Sequence, residues 1–550
     1  MEEFSILIGG KAGDGINSAG MMIAHLFNRL GYRIYMYFDY PSLIKGGHNY
    51  AIVRASREQT SACRDRVDLI LALNQETVDL HRNLSRQGTT LLFDSSRVKA
   101  EGIGVNLPDI LKEEDAPPVM GNSCIIGAFA HAAGIEWPVL ENVFSRQIPK
   151  ALPLNLRIAR RGYDAARECC TIPALGNPPL PVLSGNEAIG LGLLHGGLDA
   201  FVAYPMTPTS NLLHFMAEIA KSHDLVVFHP ENEIAVIMMA LGLGYAGKKT
   251  AVGTSGGGFC LMTEGLSLSG MNEVPVVVVM GQRAGPSTGM PTYTAQSDLH
   301  FVLHAGQGEF PRFVAAPGDA EQAFIWSSLA LQISWKYQVP SLILCDKTLC
   351  EGFFSVVDPS PGIPQIYQNP PHEGNPGYLR YSMTEDGVSE MLHPPAADTV
   401  IKVNSYTHDE AGISTERADM AAMMTEKRRR KGASLAIGVD NLNPVAAGGV
   451  ADADLALLCW GSTVGVCREL AAKMDLRVVQ PIVLAPFPRD RVKAALQGVK
   501  RLIAVEENSD GQLAMLFARF GISIDQHIRK YDGRPFSYEE LEARVREASA

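Results

Sequence analysis

The sequence predicts a multidomain α/β protein organised around parallel sheet, and three observations carry that prediction. Short hydrophobic segments alternate with segments of helical period along most of the chain. Uninterrupted apolar runs such as VPVVVV, residues 274–279, have the pattern of a strand covered on both faces, as parallel strands are. Loops rich in Gly, Pro and hydroxyl residues follow these runs, at the strand ends where open parallel sheets bind ligands.

A chain of 550 residues exceeds what one hydrophobic core supports, so three or four domains are expected. Hydrophobic residues make up 46% and charged residues 19%, a globular balance. The net charge of -11 argues against nucleic acid as the main partner, because phosphate binding needs a basic face. No apolar run approaches the ~20 residues that cross a bilayer. MEEFSILIGG has no basic stretch before its apolar run, so no signal peptide is read and a cytoplasmic location is expected. The nine cysteines are scattered, with only Cys169 and Cys170 adjacent, which fits reduced thiols. No CxxC run is present, so the chain is a poor candidate to ligate an iron–sulfur cluster by itself.

The first α/β domain is predicted over residues 1–170. FSILI is a strand, GGKAGDGINSAG a Gly-rich turn and MMIAHLFNRLG a helix, an order that can present an anion with free backbone N–H groups. Gly13-x-Gly15-x-x-Ser18, with Asp39 near the end of the strand YRIYMYF, is close to a dinucleotide fingerprint. A tight structural turn and a site for another phosphate-bearing ligand are the competing readings. PSLIKGGHNYAIVR sets Lys45 and His48 about a Gly pair, as in a solvated hairpin or crossover loop. VDLILALN and TTLLFDSS continue the alternation.

Residues 171–182 belong to a Pro- and Gly-rich, weakly charged stretch and read as a linker. A second α/β domain follows over 183–360. Residues 361–450, with little hydrophobic period and the basic run KRRRK, read as a linker or insertion whose charges form a solvated face. A third α/β domain is predicted over 451–550, with strands LALLCW, RVVQPIVL and RLIAVEEN and with Asn508 or Ser509 capping a late helix.

The central domain carries the chemistry. In YPMTPTSN, Pro205 and Pro208 fix the backbone about Thr207, and Thr209, Ser210 or Asn211 can cap the next helix. Thr207 either donates a hydrogen bond to an acidic ligand or closes a turn. In HPENEIAVIMMALGLGYAG, Glu231 and Glu233 open a helix that is apolar nearly all round, so the helix is expected to be buried on all sides. One acid suffices to complement a helix dipole; two suggest that at least one faces a ligand, where burial would raise its pKa. Gly256 to Gly258 allow close approach of a backbone. Arg283, among small and hydroxyl residues, is placed to bind a carboxylate as a fork.

These residues resemble the 2-oxoacid:ferredoxin oxidoreductases, as an α subunit with the small γ domain fused at its N-terminus. YPMTPTSN, ENEIAVIMMALGLGYAG and GQRAGPSTGMPT are similar to that family's substrate loop, glutamate helix and arginine loop. GGKAGDG and PSLIKGGHN resemble elements of its γ domain. The resemblance implies a transketolase-like pyrimidine-binding domain over 183–360, a γ-type domain over 1–170 and a transketolase-C-like domain over 451–550. It implies thiamine diphosphate shared with a second subunit, with Glu233 on the aminopyrimidine ring nitrogen as the catalytic contact. Tyr204, Pro205, Glu231, Gly256 and Gly257 are implied around the cofactor, Glu231 more as support for the helix start. Thr207 and Arg283 would hold the substrate carboxylate, and Asn17 and Lys45 would meet coenzyme A phosphates.

Gly13-Asp14-Gly15 is followed by no asparagine pair, so it is not read as a metal site, and no metal ligand is assigned to this chain. The resemblance therefore implies a β subunit that supplies diphosphate binding, Mg2+ and the iron–sulfur exit to ferredoxin, in a probable doubled αβ assembly. The arginine loop looks more like that of 2-oxoglutarate enzymes, which implies oxidative decarboxylation with coenzyme A to succinyl-CoA and CO2, or the reverse. Pyruvate or a branched-chain 2-oxoacid is the alternative substrate. A dinucleotide-binding or structural partner subunit is the alternative of another class.

Overall fold

The computed structural model describes residues 3–42, 46–368 and 377–549. Two compact units divide the chain, neither of them continuous in sequence.

The first unit comprises Met1–Ser184, Glu351–Val357 and Phe536–Arg546. Its eight-stranded sheet runs in the order Ile103–Val105, Thr90–Asp94, Leu69–Ala72, Glu3–Lys11, His48–Ser56, Arg33–Asp39, Phe353–Ser355 and Val182–Ser184. The first four strands are mutually parallel, and the remaining pairings are antiparallel. The predicted helix forms as Ile16–Arg29 and lays Ile16, Ala19, Ile23 and Phe27, together with Met22, Ala24 and Leu26, into the core.

This topology is incompatible with the dinucleotide reading of the glycine turn. In that fold the strands flanking the first helix are neighbours, whereas here His48–Ser56 lies between them and runs antiparallel to both. Asp39, the candidate ribose ligand, is buried and accepts hydrogen bonds from the hydroxyls of Tyr37 (3.0 Å) and Tyr50 (3.4 Å). Asp14 closes its own turn, its carboxylate accepting from the Lys11 N–H at 2.9 Å.

The second unit comprises Gly185–Cys350, Asp358–Pro535 and Glu547–Ala550. Its larger sheet has seven strands, ordered Val483–Ala485, Phe313–Ala315, Pro340–Asp346, Val276–Gln282, Thr250–Ser255, Ala200–Ala203 and Val226–Phe228. All pairings are parallel except that of Val483–Ala485. Val276–Gln282 is buried along its whole length, as its valine run predicts. The smaller sheet has five strands, ordered Val445–Gly449, Arg477–Pro481, Leu455–Leu458, Arg501–Glu506 and Gln526–Arg529. The strand Val483–Ala485 comes from the C-terminal segment yet hydrogen-bonds into the seven-stranded sheet. Residues Val314, Leu344, Leu458, Trp460 and Val479 share one hydrophobic core.

The basic run is only partly a solvated face. Residues Ala418–Asp440 form one helix, and the four-residue spacing of Lys427 and Lys431 puts both ammonium groups inside the protein. Both bond to the buried carboxylate of Glu273, Lys427 at 2.9 Å. Arg429, on another face, is exposed and pairs with Glu426. The late helix Gln512–Arg519 starts as expected near Asn508, whose side-chain oxygen accepts from the N–H of Gly511 at 2.7 Å; Ser509 instead bonds Asp510.

Candidate functional site

The loops that end the parallel strands of the second unit bring the central residues together. Ala200–Ala203 leads into Tyr204 and Pro205, Thr250–Ser255 into the glycine turn, and Val276–Gln282 into Arg283. In a parallel register these exits lie side by side: Gly253 pairs with Ala203 and with Val279, and Ser255 with Gly281. A ligand placed there meets all three loops, which is the geometric reason such sheets bind at this edge.

The Thr207 loop is clamped onto the sheet. Its Thr207–Pro208 peptide is cis, and the Pro208 carbonyl accepts from the Asn186 amide at 2.9 Å. A Cβ at Gly281 would lie 2.8 Å from both Pro208 Cγ and Thr209 Cγ2, so only glycine lets this loop sit on the strand end. Thr209 does not cap the following helix; its hydroxyl donates to the carbonyls of Met206 (3.0 Å) and Thr254 (3.2 Å). Arg283 Nη1 donates to the Thr207 carbonyl at 3.1 Å. Thr207 and Arg283 are therefore neighbours. Tyr204 and Pro205 are exposed beside them, with the Tyr204 ring meeting His229 edge-on.

The two acids separate. Glu233 is the first residue of the helix Glu233–Tyr245 and is 4% exposed, whereas Glu231 is exposed ahead of the helix. The helix is capped by Asn232, whose side chain accepts from the Ala235 N–H at 3.0 Å. Glu233 is thus not needed as a cap. Its carboxylate has no hydrogen-bond partner among the described residues, and its oxygens keep some contact with solvent, so the acid is free to meet a ligand. A Cβ at Gly258 would fall 2.3 Å from Thr254 Oγ1 and 2.5 Å from Glu233 Oε1, so the triple glycine lets the acid reach the turn.

The helix Gly256–Asn272 begins at Gly256 with no side-chain cap, and the Ser255 hydroxyl is buried without a partner. Gly257 is exposed, with open space where a Cβ would stand. The apolar helix Glu233–Tyr245 is not buried on all sides as expected. Ile234 and Met238 expose about half their surface, as does Leu261 on the next helix, and the three line a 290 Å³ groove.

One residue of the site carried no signal that sequence reasoning used. Asp298 ends the arginine loop, and its N–H is held by the side-chain carbonyl of Gln282 at 3.0 Å. Its carboxylate oxygens lie 3.3 and 3.4 Å from the place a Cβ of Gly256 would occupy. Burial pushes its carboxyl up to about 6, against the opposing pull of Arg283. Burial also lowers the Arg283 pKa, offset by Asp298. An acid immediately before a short helix is an ordinary cap signal, and only the fold brings it back to the strand end.

Of the remaining expected site residues, Asn17 belongs to the first unit. It is exposed in the first turn of Ile16–Arg29, a helix whose N-terminus has Gly15 and no side-chain cap. Lys45 lies outside the described residues. No cluster of three or more His, Cys, Asp or Glu side chains suited to a metal occurs among the described residues. No helix among them is long and apolar enough to cross a membrane.

Comparison with known proteins gives the family of the chain. Residues 192–427 match the family model described as pyruvate flavodoxin/ferredoxin oxidoreductase, thiamine diphosphate-binding, and residues 5–165 match pyruvate ferredoxin/flavodoxin oxidoreductase. The chain is 31% identical to subunit alpha of 2-oxoacid:ferredoxin oxidoreductase 2 from Aeropyrum pernix, over 98% of this chain and 97% of that one. It is 28% identical to the corresponding subunit alpha from Saccharolobus solfataricus, with 98% and 97% covered. Its fold superposes with a TM-score of 0.90 on a 2-oxoglutarate:ferredoxin oxidoreductase from Magnetococcus marinus solved with 2-oxoglutarate, coenzyme A and succinyl-CoA bound. That match has 29% identity and covers 100% of this chain and 99% of the other. The strand-end cluster of acid, arginine and uncapped glycine helix thus lies within a full-length likeness, and the chain belongs to the α subunits of the 2-oxoacid:ferredoxin oxidoreductases.

Proposed function

We propose that this chain works with a β subunit to decarboxylate 2-oxoglutarate oxidatively with coenzyme A, yielding succinyl-CoA and CO2 and passing electrons to ferredoxin. Reductive carboxylation uses the same groups in reverse. The single observation that carries the reading is Glu233, a buried carboxylate left without a partner at the edge that also presents Arg283 and the uncapped glycine turn.

A nearly buried, unpartnered acid at a cradle of small residues suits an aminopyrimidine, whose ring nitrogen can share a proton with it. Thiamine diphosphate, when bound, supplies the nucleophilic carbon that attacks the keto group and holds the electrons freed on decarboxylation. Glu233 holds the proton at the pyrimidine ring nitrogen. Arg283 presents guanidinium N–H groups to the substrate carboxylate, with Nη1 steadied by the Thr207 carbonyl. Thr207 holds that carboxylate beside Arg283 while its own carbonyl sets the direction of the fork, and the uncapped N–H groups at Gly256 and Gly257 offer further donors. Tyr204 and Pro205 form the exposed rim of the cofactor site, and Glu231 supports the helix start.

Diphosphate binding, Mg2+ and the iron–sulfur exit fall to the β subunit in this reading, and the assembly is a doubled αβ pair. Asn17 and Lys45, on the γ-type domain at 1–170, are proposed for coenzyme A phosphates. The further proposed divisions are a linker at 171–182, the pyrimidine-binding domain at 183–360, an insertion at 361–450 and the C-terminal domain at 451–550.

The test is co-expression with the β subunit and an assay of viologen dye reduction. Reduction that requires both 2-oxoglutarate and coenzyme A supports the proposal. Reduction supported by pyruvate or a branched-chain 2-oxoacid, and not by 2-oxoglutarate, would replace the substrate while keeping the chemistry.

A further inference from the structure

The arginine loop leaves the sheet at Arg283 and returns at Asp298, and its tip, residues 285–290, stands in water. A loop of this length, rich in Gly and Pro, does not fix a side chain by its own sequence. Two hydrogen bonds cross its base on either side of Arg283. The Ala284 N–H donates to the Tyr293 carbonyl at 3.0 Å, and the Asp298 N–H donates to the Gln282 side-chain carbonyl at 3.0 Å. The returning limb, residues 293–298, therefore sets where the Arg283 backbone sits.

That limb is gripped by residues far away in sequence. Gln296 is fully buried, and each of its polar atoms is bonded. Its N–H donates to the Glu507 carbonyl at 2.7 Å and its side-chain oxygen accepts from the Glu507 N–H at 3.0 Å, so backbone and side chain hold the same residue. The side-chain nitrogen donates to the Trp460 carbonyl at 2.7 Å and to the Asp346 carboxylate at 3.3 Å, and the Asn508 amide donates to the Gln296 carbonyl at 3.0 Å. Closer to the arginine, the Thr294 N–H donates to the Gly533 carbonyl at 3.2 Å, and the Arg534 guanidinium lies 3.8 Å from the centre of the Tyr293 ring. Gly533 sits so near that a Cβ there would stand 3.1 Å from Tyr293 Cβ.

We propose that Gln296 and Arg534 are positioning residues for Arg283, a clasp by which the C-terminal segment aims the arginine at the substrate. The inference rests on the reading that Arg283 binds the substrate carboxylate. A guanidinium holds a carboxylate as a fork only when two N–H groups point along the carboxylate plane. A small displacement of the loop base therefore weakens the hold on the substrate while leaving the arginine charge in place. Gln296 fixes the far end of the returning limb, and Arg534 presses on Tyr293, whose carbonyl is tied to the residue next to Arg283.

The experiment is a double-mutant cycle in the assembled enzyme, read as KM for 2-oxoglutarate beside KM for coenzyme A. Gln296→Met keeps the length of the side chain and removes its hydrogen bonds; Arg534→Ala removes the guanidinium from the Tyr293 ring. Each should raise KM for 2-oxoglutarate about tenfold, within the range for coupled neighbours, and leave KM for coenzyme A unchanged. Arg283→Lys keeps a cation without the fork, so in that background neither substitution should raise KM for 2-oxoglutarate further. Losses that multiply in the Arg283→Lys background overturn the proposal, as does a KM for coenzyme A that rises in step, because a general loosening of the fold produces both. So does a KM for 2-oxoglutarate left unchanged by either substitution. In each of these cases a raised KM in Arg283→Lys alone leaves the carboxylate-binding role of the arginine standing. An unaltered KM in Arg283→Lys removes that role and this inference with it. If Gln296→Met fails to assemble, the cycle of Arg534→Ala with Arg283→Lys decides.

Discussion

Glu233 and Glu231 stand two positions apart and differ in everything that matters to chemistry. Glu231 is in water, and Asn232 caps the helix, so the carboxylate of the nearly buried Glu233 has no capping task. Glu233→Gln should lower turnover by about 10²- to 10⁴-fold, the usual worth of a positioned proton acceptor, while the complex still assembles on size-exclusion chromatography. Gly258→Ala tests the cradle rather than the acid. The new methyl would lie 2.5 Å from Glu233 Oε1 and force the carboxylate aside. A displacement of about 1 Å at a catalytic group can cost ~100-fold, so kcat should fall on that scale although no reacting group has been removed. The different environments of the two acids were legible only in part. The family resemblance favours Glu233, and its burial beside the Thr254–Gly258 turn supports that choice, a contact that no local window of sequence contains.

At the scale of elements, the helix Ala418–Asp440 corrects the plainest misreading. Its basic run is locally indistinguishable from a solvated face, because no periodic apolar stripe accompanies it. The structure instead drives Lys427 and Lys431 onto Glu273, and Arg380 completes the cluster through the Glu273 carbonyl at 2.7 Å. Burial pushes the Glu273 carboxyl up, but Lys431, Lys427 and Arg380 together pull it well below the ordinary carboxylate range. Burial, partly offset by Glu273, brings Lys431 down to about 7.

Removing the one anion leaves three buried cations unopposed. Glu273→Gln should therefore cost about 3–5 kcal/mol, read as an earlier denaturant transition. The sign of the acid dependence follows from the depressed carboxyl. Its stabilising contribution is complete above the unfolded carboxylate pKa of about 4.3 and is lost only as pH falls toward the folded value. In Glu273→Gln this component of the acid-unfolding profile should vanish.

For the whole molecule, the proposed function makes the candidate site half of a binding site. This chain brings an acid, an arginine and donors at a helix start to it. Isothermal titration calorimetry of the isolated chain should accordingly find weak or undetectable thiamine diphosphate binding in the presence of Mg2+. Tight binding, with a dissociation constant in the low micromolar range or below, would contradict the division of labour with the β subunit. The half-exposed Ile234, Met238 and Leu261 point the same way, since apolar side chains on two adjacent helices stand in water in the chain taken alone.

The sequence by itself determined the α/β class, most of the strands, the family and the residues at the three strand exits. Those features are local: a valine run, a proline-fixed loop and a glycine turn are written in consecutive residues. Tertiary structure decided what no window of sequence contains. It placed Asp298 back against Gly256, inserted His48–Ser56 between the strands that a dinucleotide site would need adjacent, paired Val483–Ala485 with a distant sheet and turned two lysines inward. Each of these depends on which chain segments become neighbours. The sign and burial of a charge are set by that neighbourhood, whereas its position in the sequence is silent on both.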